Sequence, residues 1–236
     1  KSRRLLTAKV LHLAKKFEGS RFFFPSNVDW RGRVYNIPSF LNIQNADPSR
    51  GLLRFFRSEK VQTPDQARWL AIHGANTYGN DKVTLDERVD WANSYAEEAQ
   101  LIASAPTKHL SWKDADSPWQ HLAWCFEWAE YTRTGKVKTK LPCAQDATNN
   151  GLQLLACLTQ CEETAYATNA APTPAPQDIY AVIAARAVSK LQEDAATGNI
   201  VARKWLAFGV DRKATKRPTM VYPYGGTFYS CRAYID

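Results

Sequence analysis

Between Asp211 and Gly225 the chain reads DRKATKRPTMVYPYG. Arg212, Lys216, Met220 and Tyr224 recur at every fourth residue. On a helix such residues lie nearly above one another, drifting slowly around the axis. Two cations one turn apart can hold a polyanion such as a triphosphate at fixed separations. Asp211 is placed to cap this helix, its carboxylate accepting from amides of the first turn. Tyr224, just before Gly225 and Gly226, falls where the helix should stop and a sugar could be approached closely. Pro218 and Pro223 each remove an amide donor, which predicts a kinked or locally opened helix. A solvated basic face is the alternative reading of the same spacing.

A second candidate is Asp146, within LPCAQDATNNGLQ. Leu141 to Asp146 reads as a short strand, Asn149-Asn150-Gly151 as a turn, and GLQLLACLTQC as a helix. A carboxylate at the end of a strand can hold a divalent cation when substrate phosphates and water complete the shell, as magnesium prefers. A turn or helix cap is the alternative use of an Asp there. The third candidate is DWRGRVY, Asp29 to Tyr35. Arg31 and Arg33 would point to opposite faces of a strand. One could reach a nucleic-acid backbone while the other makes an internal ion pair, with Asp29 a candidate partner. A surface hairpin with a stacked Trp is the alternative.

The elements that must position these residues are mostly helices. Leu5, Leu6, Val10, Leu11, Leu13, Ala14 and Phe17 mark a first helix, ended by Gly19. RFFFPSNVDWRGRVYNIPSF, broken by Pro25 and Pro38, reads as short strands and turns. Thr63-Pro64-Asp65-Gln66 and Thr84-Leu85-Asp86-Glu87 are capping boxes, the second opening a helix to about Ala105. Ser117-Pro118-Trp119-Gln120 repeats the device before WQHLAWCFEWAEYTRTG. There Leu122, Phe126 and Ala129 should lie together, the apolar surface widened by Trp119, Trp124 and Trp128. Helices are also expected over Gln177–Ala196 and about Val201–Phe208.

The 236 residues suffice for one large or two small domains. No apolar run is long enough to cross a bilayer, and no signal peptide opens the chain. A net charge of +8 with abundant aromatics fits phosphate contacts and base stacking, though basic enzymes with small anionic substrates share that profile. The five cysteines lack paired CxxC spacing. They read as buried small hydrophobes of a reducing compartment, with Cys157 and Cys161 as thiolate ligands the rival reading.

FFFPSNVDWRGRVY, GLLRF, IHGAN, DKV, DSPWQHLAWCFEWA, LPCAQDATNNGLQ, QDIY and DRKATKRPTMVYPYGG, in that order, resemble the phage-type single-subunit DNA-dependent RNA polymerases over nearly the whole chain. The resemblance implies a mainly α fold with a few short strands (α+β), part of the palm and fingers of a right-hand polymerase. It implies a palm-proximal region over 1–60, a helical scaffold over 61–140, a strand-turn-helix with the metal carboxylate over 141–165, and a nucleotide-binding fingers portion over 166–236. By resemblance Asp146 is the first catalytic, magnesium-binding carboxylate of a two-metal site, with the Ala147 carbonyl as accessory ligand. Arg212 and the catalytic Lys216 hold the incoming triphosphate, Tyr180 lies near its path, and Tyr224 closes over the nucleotide and senses its sugar. Arg33, Tyr35 and Gly225 contact template and hybrid.

The implied reaction is DNA-directed transfer of NTPs to an RNA 3′-hydroxyl. The implied partners are template DNA, nascent RNA and ribonucleoside triphosphates, with no membrane and no obligate protein partner. The compartment is intracellular, either host cytoplasm or mitochondrion. No His-Asp pair supplies the second metal carboxylate, and both ends look cut. The chain is therefore expected to be a segment that lacks the promoter region and cannot polymerise alone. The rival readings are a family-A-like DNA polymerase segment, against which DWRGRVY argues, and a non-catalytic basic nucleic-acid-binding module.

Overall fold

A computed structural model describes residues 2–30 and 32–235 and divides the chain into two compact units, Lys1–Ala144 and Gln145–Asp236. Arg31, expected on one face of the DWRGR strand, lies outside the described residues. The fold is mainly helical with a few three-residue strands.

In the first unit α1 (Ser2–Lys16) buries Val10 against Leu41 and Leu53, with Leu13, Ala14, Phe22, Phe24 and Phe40 packed around them. Leu5, Leu6 and Leu11 of the same apolar pattern are exposed. An antiparallel hairpin follows, β1 (Ser26–Val28) with β2 (Val34–Asn36), Val28 opposite Val34. Then come α2 (Asp47–Leu52), β3 (Glu59–Val61), α3 (Pro64–Tyr78), α4 (Leu85–Ser94), α5 (Ala96–Ser104), a 3-10 turn at Ser111–Asp114, α6 (Pro118–Thr134) and β4 (Val137–Thr139). β3 and β4 pair antiparallel, Val61 opposite Val137. The Thr63 and Thr84 capping boxes form as their sequences predict.

The core of this unit is built on α6. Trp124 and Trp128 are fully buried and stacked at 5.5 Å. Their indole nitrogens donate to the carbonyls of Leu70 (2.8 Å) and Ala92 (2.9 Å), so both buried indole donors are satisfied. Gly74 of α3 lies directly under the Trp124 ring, where any Cβ would overlap it. Buried Glu127 pairs with Arg54 and accepts from the Lys140 amide at 3.3 Å, fixing the strand that leaves α6.

Several expectations for this unit need correction. The helix expected from Thr84 to about Ala105 is two helices, broken at Tyr95 (φ −85°, ψ 2°). The break sends the Tyr95 ring into a cluster with Trp91 (4.9 Å), His121 (5.5 Å), Tyr78 (5.7 Å) and Trp124 (6.2 Å). Ser117 makes no side-chain cap. The Asp47 carboxylate takes its place, accepting from the amides of Trp119 (2.7 Å) and Gln120 (3.2 Å). Phe126 and Trp119 are exposed, because α6 turns His121, Trp124, Cys125, Trp128 and Ala129 inward. Leu141–Asp146 is not a strand. The pairing stops at Thr139, the last residue opposite β3, and Pro142 offers no amide to continue it.

The second unit contains α7 (Asn150–Thr159), α8 (Glu162–Ala167), α9 (Ile179–Ala196), α10 (Ile200–Phe208), α11 (Arg212–Val221), a 3-10 turn at Tyr222–Tyr224 and α12 (Phe228–Arg232). Its core is small: Leu152, Ile179 and Tyr180, with Ala167 and Ile183 against them. Polar caps start α7 (Asn149), α9 (Asp178), α10 (Asn199), α11 (Asp211) and α12 (Thr227). The proline-rich loop before α9 is closed by Asn169, which exchanges hydrogen bonds with the Gln177 backbone (2.7 and 2.8 Å). The cysteines are not uniformly buried: Cys125 is, whereas Cys143 and Cys157 are exposed. Cys157 follows Ala156, and it is Leu152 and Ala156 that α7 turns inward. Cys161 lies beyond α7, at the start of α8, so the two thiols do not share one helix face.

Candidate functional site

α11 begins as its sequence predicts, with Asp211 Oδ1 accepting from the Ala214 amide at 3.0 Å and Pro218 accommodated inside the helix. The α-helix ends at Val221. Tyr224 sits on the following 3-10 turn, closed by Gly225 in the left-handed region (φ 80°). Gly226 continues the turn, its amide donating to the Val221 carbonyl at 3.1 Å.

α11 is joined to α9 by Thr215, whose Oγ1 donates to the Tyr180 carbonyl at 2.9 Å. Tyr180 is buried, and both cations of α11 lie near its ring: Arg212 Cζ at 5.4 Å and Lys216 Nζ at 6.0 Å from the centroid. A ring face attracts such cations and holds them side by side. The Tyr180 hydroxyl donates to the Thr148 carbonyl at 3.1 Å, tying α9 to the turn that follows Asp146 and Ala147.

Asp178 has two tasks. Its Oδ1 caps α9, accepting from the amides of Tyr180 (3.0 Å) and Ala181 (3.4 Å), while its Oδ2 accepts from Arg212 Nε. Burial pushes its carboxyl up, but the Arg212 hydrogen bond and charge, with the two amides, outweigh this and hold it below the ordinary value. Nε is committed to Asp178, which fixes the guanidinium's orientation.

The other end of α11 reaches the same turn. The Tyr224 hydroxyl donates to Asn150 Oδ1 at 2.5 Å. Beneath it, a Cβ on Gly151 would lie 2.7 Å from Pro223 Cβ and 3.5 Å from Tyr224 Cζ, so this approach requires glycine.

Asp146 is exposed and lies in irregular chain, its Oδ1 accepting from the Ala147 amide at 2.9 Å. Among the described residues no cation pairs with it, and no group of three or more His, Cys, Asp or Glu side chains gathers anywhere. Arg33 and Tyr35 belong to the first unit. Arg33 lies in the turn before β2, so the strand alternation expected of it does not apply. Its amide donates to Asp29 Oδ1 at 3.0 Å, and its carbonyl accepts from the Asp29 amide at 2.9 Å. Tyr35 is half-exposed on β2 opposite Asn27.

The second unit thus gathers Tyr180, Arg212 and Lys216 at one end of α11 and Tyr224 with Gly225 at the other, both ends tied to residues 148–151. Sequence reasoning missed Thr148, Asn150, Asp178 and Thr215 as parts of this assembly. Asp178 carried a legible signal, an Asp directly before an apolar helical pattern. The others are ordinary turn and helix residues, and only their distant partners distinguish them.

The family model for DNA-dependent RNA polymerase matches residues 60–236. This chain belongs to that family. Curated relatives agree over nearly its whole length. T7 RNA polymerase of Escherichia phage T7 is 33% identical over 261 residues, covering 100% of this chain and 29% of the relative. The DNA-directed RNA polymerase of Enterobacteria phage T3 is 33% identical over 260 residues, covering 99% and 29%. The mitochondrial DNA-directed RNA polymerase of Neurospora crassa is 36% identical over 229 residues, covering 95% and 16%. The chain therefore spans under a third of the length of these relatives. Among the described residues, no helix of this polymerase-family chain is long and apolar enough to cross a membrane.

Proposed function

We propose that this chain provides the nucleotide-binding portion of a longer DNA-directed RNA polymerase, the enzyme that joins NTPs to an RNA 3′-hydroxyl opposite a DNA template. The observation that carries the reading is the placement of Arg212 and Lys216 beside the Tyr180 ring, with Tyr180 and Tyr224 both bonded to the turn after Asp146. Arg212 and Lys216 bind the triphosphate and offset its charge. Asp178 and Tyr180 orient them, which lowers the cost of ordering two long side chains. Lys216 additionally steadies the charge that develops on the leaving phosphates. Tyr224 meets the sugar. Arg33, Tyr35 and Gly225 take the template and hybrid roles that the family resemblance suggests. The phage and mitochondrial relatives support host cytoplasm or mitochondrion as the compartment.

The residues present fit part of a magnesium site. Magnesium takes hard oxygen donors and needs only one or two carboxylates beside phosphates and water. Asp146 is an exposed carboxylate of that kind, and Ala147 adds a carbonyl. These two would hold the ion, which when bound supplies charge stabilisation to the phosphoryl group and makes the attacking hydroxyl more acidic. The second carboxylate would come from another part of the longer polymerase.

Asp146→Asn in the intact polymerase tests the reading. Transcription rate should fall by several orders of magnitude while fluorescence anisotropy still reports template binding. Near-normal transcription would instead favour a basic nucleic-acid-binding module without chemistry.

A further inference from the structure

Tyr224 is held by a partner at the start of α7. Its hydroxyl donates to Asn150 Oδ1 at 2.5 Å, and its Cζ would lie 3.5 Å from a Cβ on Gly151, the next residue of α7. Asn150 is itself exposed, at the first position of α7, while the neighbouring Asn149 provides the helix cap by accepting from the Leu152 amide at 3.1 Å. Asn150 is therefore free of the capping task, and its side-chain carbonyl serves the tyrosine.

We propose that Asn150 is a specificity-determining positioning residue that sets how Tyr224 reads the sugar of the incoming nucleotide. The inference rests on the sugar-sensing reading of Tyr224 given above. A phenol hydroxyl has one proton. Once that proton is committed to Asn150, the Tyr224 oxygen meets any further polar group only as an acceptor. A ribose 2′-hydroxyl can donate to it, and a 2′-deoxyribose cannot. Asn150 also fixes the ring's position against Gly151, so the acceptor is presented at one place. Without Asn150 the ring loses this anchor, and its oxygen is no longer presented to the sugar at one place.

The test uses the intact polymerase and the ratio of kcat/KM for rNTP over dNTP. Asn150→Leu keeps the side chain's bulk and leaves the Asn149 cap in place, so folding is retained. It should lower the ratio by about fivefold or more, the order expected for loss of one hydrogen bond. Asn150→Asp keeps an acceptor oxygen at the same position and should restore most of the discrimination. Combined with Tyr224→Phe, Asn150→Leu should add nothing, because both changes remove the same bond. A merely structural role for Asn150 would lower activity on both nucleotides alike. If Tyr224→Phe relaxes selection and Asn150→Leu does not, this inference alone is overturned. If Tyr224→Phe leaves selection unchanged, the sugar-sensing reading falls and takes this inference with it.

Discussion

A methyl group at position 151 would lie 2.7 Å from Pro223 Cβ, well inside van der Waals contact. The neighbour is a ring side chain on a tight turn and has little room to yield. Gly151→Ala should therefore destabilise the second unit by about 1–3 kcal/mol. Urea denaturation followed by tyrosine fluorescence would measure it, as a lower midpoint at unchanged slope. The same contact spaces Tyr224 from α7, since pushing Pro223 away should also lift Tyr224 from Asn150. Asp178 shows a related economy, in which one carboxylate ends a helix and aims an arginine. Its carboxyl is held below the ordinary value, so both links persist above the ordinary carboxylate range and are lost as pH falls through the lowered value.

Helix α6 owes its start to one residue more than seventy positions away. Its first amides are satisfied by Asp47, through bonds of 2.7 and 3.2 Å, with a further bond of 3.0 Å from the Gln120 side chain. A carboxylate at a helix N-terminus gains both from the hydrogen bonds and from the axial dipole. Asp47→Ala should cost about 1–2 kcal/mol of stability in the first unit, whereas Ser117→Ala should cost close to nothing. Thermal unfolding of the two variants followed by circular dichroism checks this. Equal losses would mean that Ser117 contributes after all. α11 presents the opposite design. Its own Asp211 caps it, and tertiary contacts instead hold its two ends, through Thr215 to α9 and through Tyr224 to α7.

Across the molecule as a whole, the net charge of +8 suits a phosphate-rich partner, yet the strongest pH dependence should come from two buried histidines of the first unit. Burial pushes His73 down to about 4. His121 is also pushed down to about 4, by burial above all, with the Gly74 backbone opposing and His73 adding to the fall. Both stay neutral in the folded chain until pH falls to about 4. In the unfolded chain they take up protons below their ordinary 6.5. Stability is therefore highest above pH 6.5 and declines as pH falls toward about 4, by on the order of 3 kcal/mol per histidine. Unfolding midpoints recorded across that window should fall steadily. Replacing His73 with leucine should flatten the curve by about half, and an unaltered slope would contradict the assignment.

Much of this architecture is written locally. The Thr63 and Thr84 boxes, the Asp211 cap, the glycine after Tyr224 and the helix patterns of α9 and α10 each depend on residues within a few positions of one another. Such signals survive any tertiary arrangement, and so they could be read from the amino acids alone. The spacing of Arg212 and Lys216 belongs to the same class. What only the folded chain decided were the pairings across long sequence separations: Asp47 under α6, the Tyr95 ring against His121 and Trp124, Arg54 on Glu127, Asp178 on Arg212, and Asn150 on Tyr224. A cap or a strand has several residues able to supply its missing hydrogen-bond partner, and local sequence does not rank them. Packing does, because burying Trp124, Trp128 and Tyr180 brings one particular partner within bonding distance and leaves the others outside it.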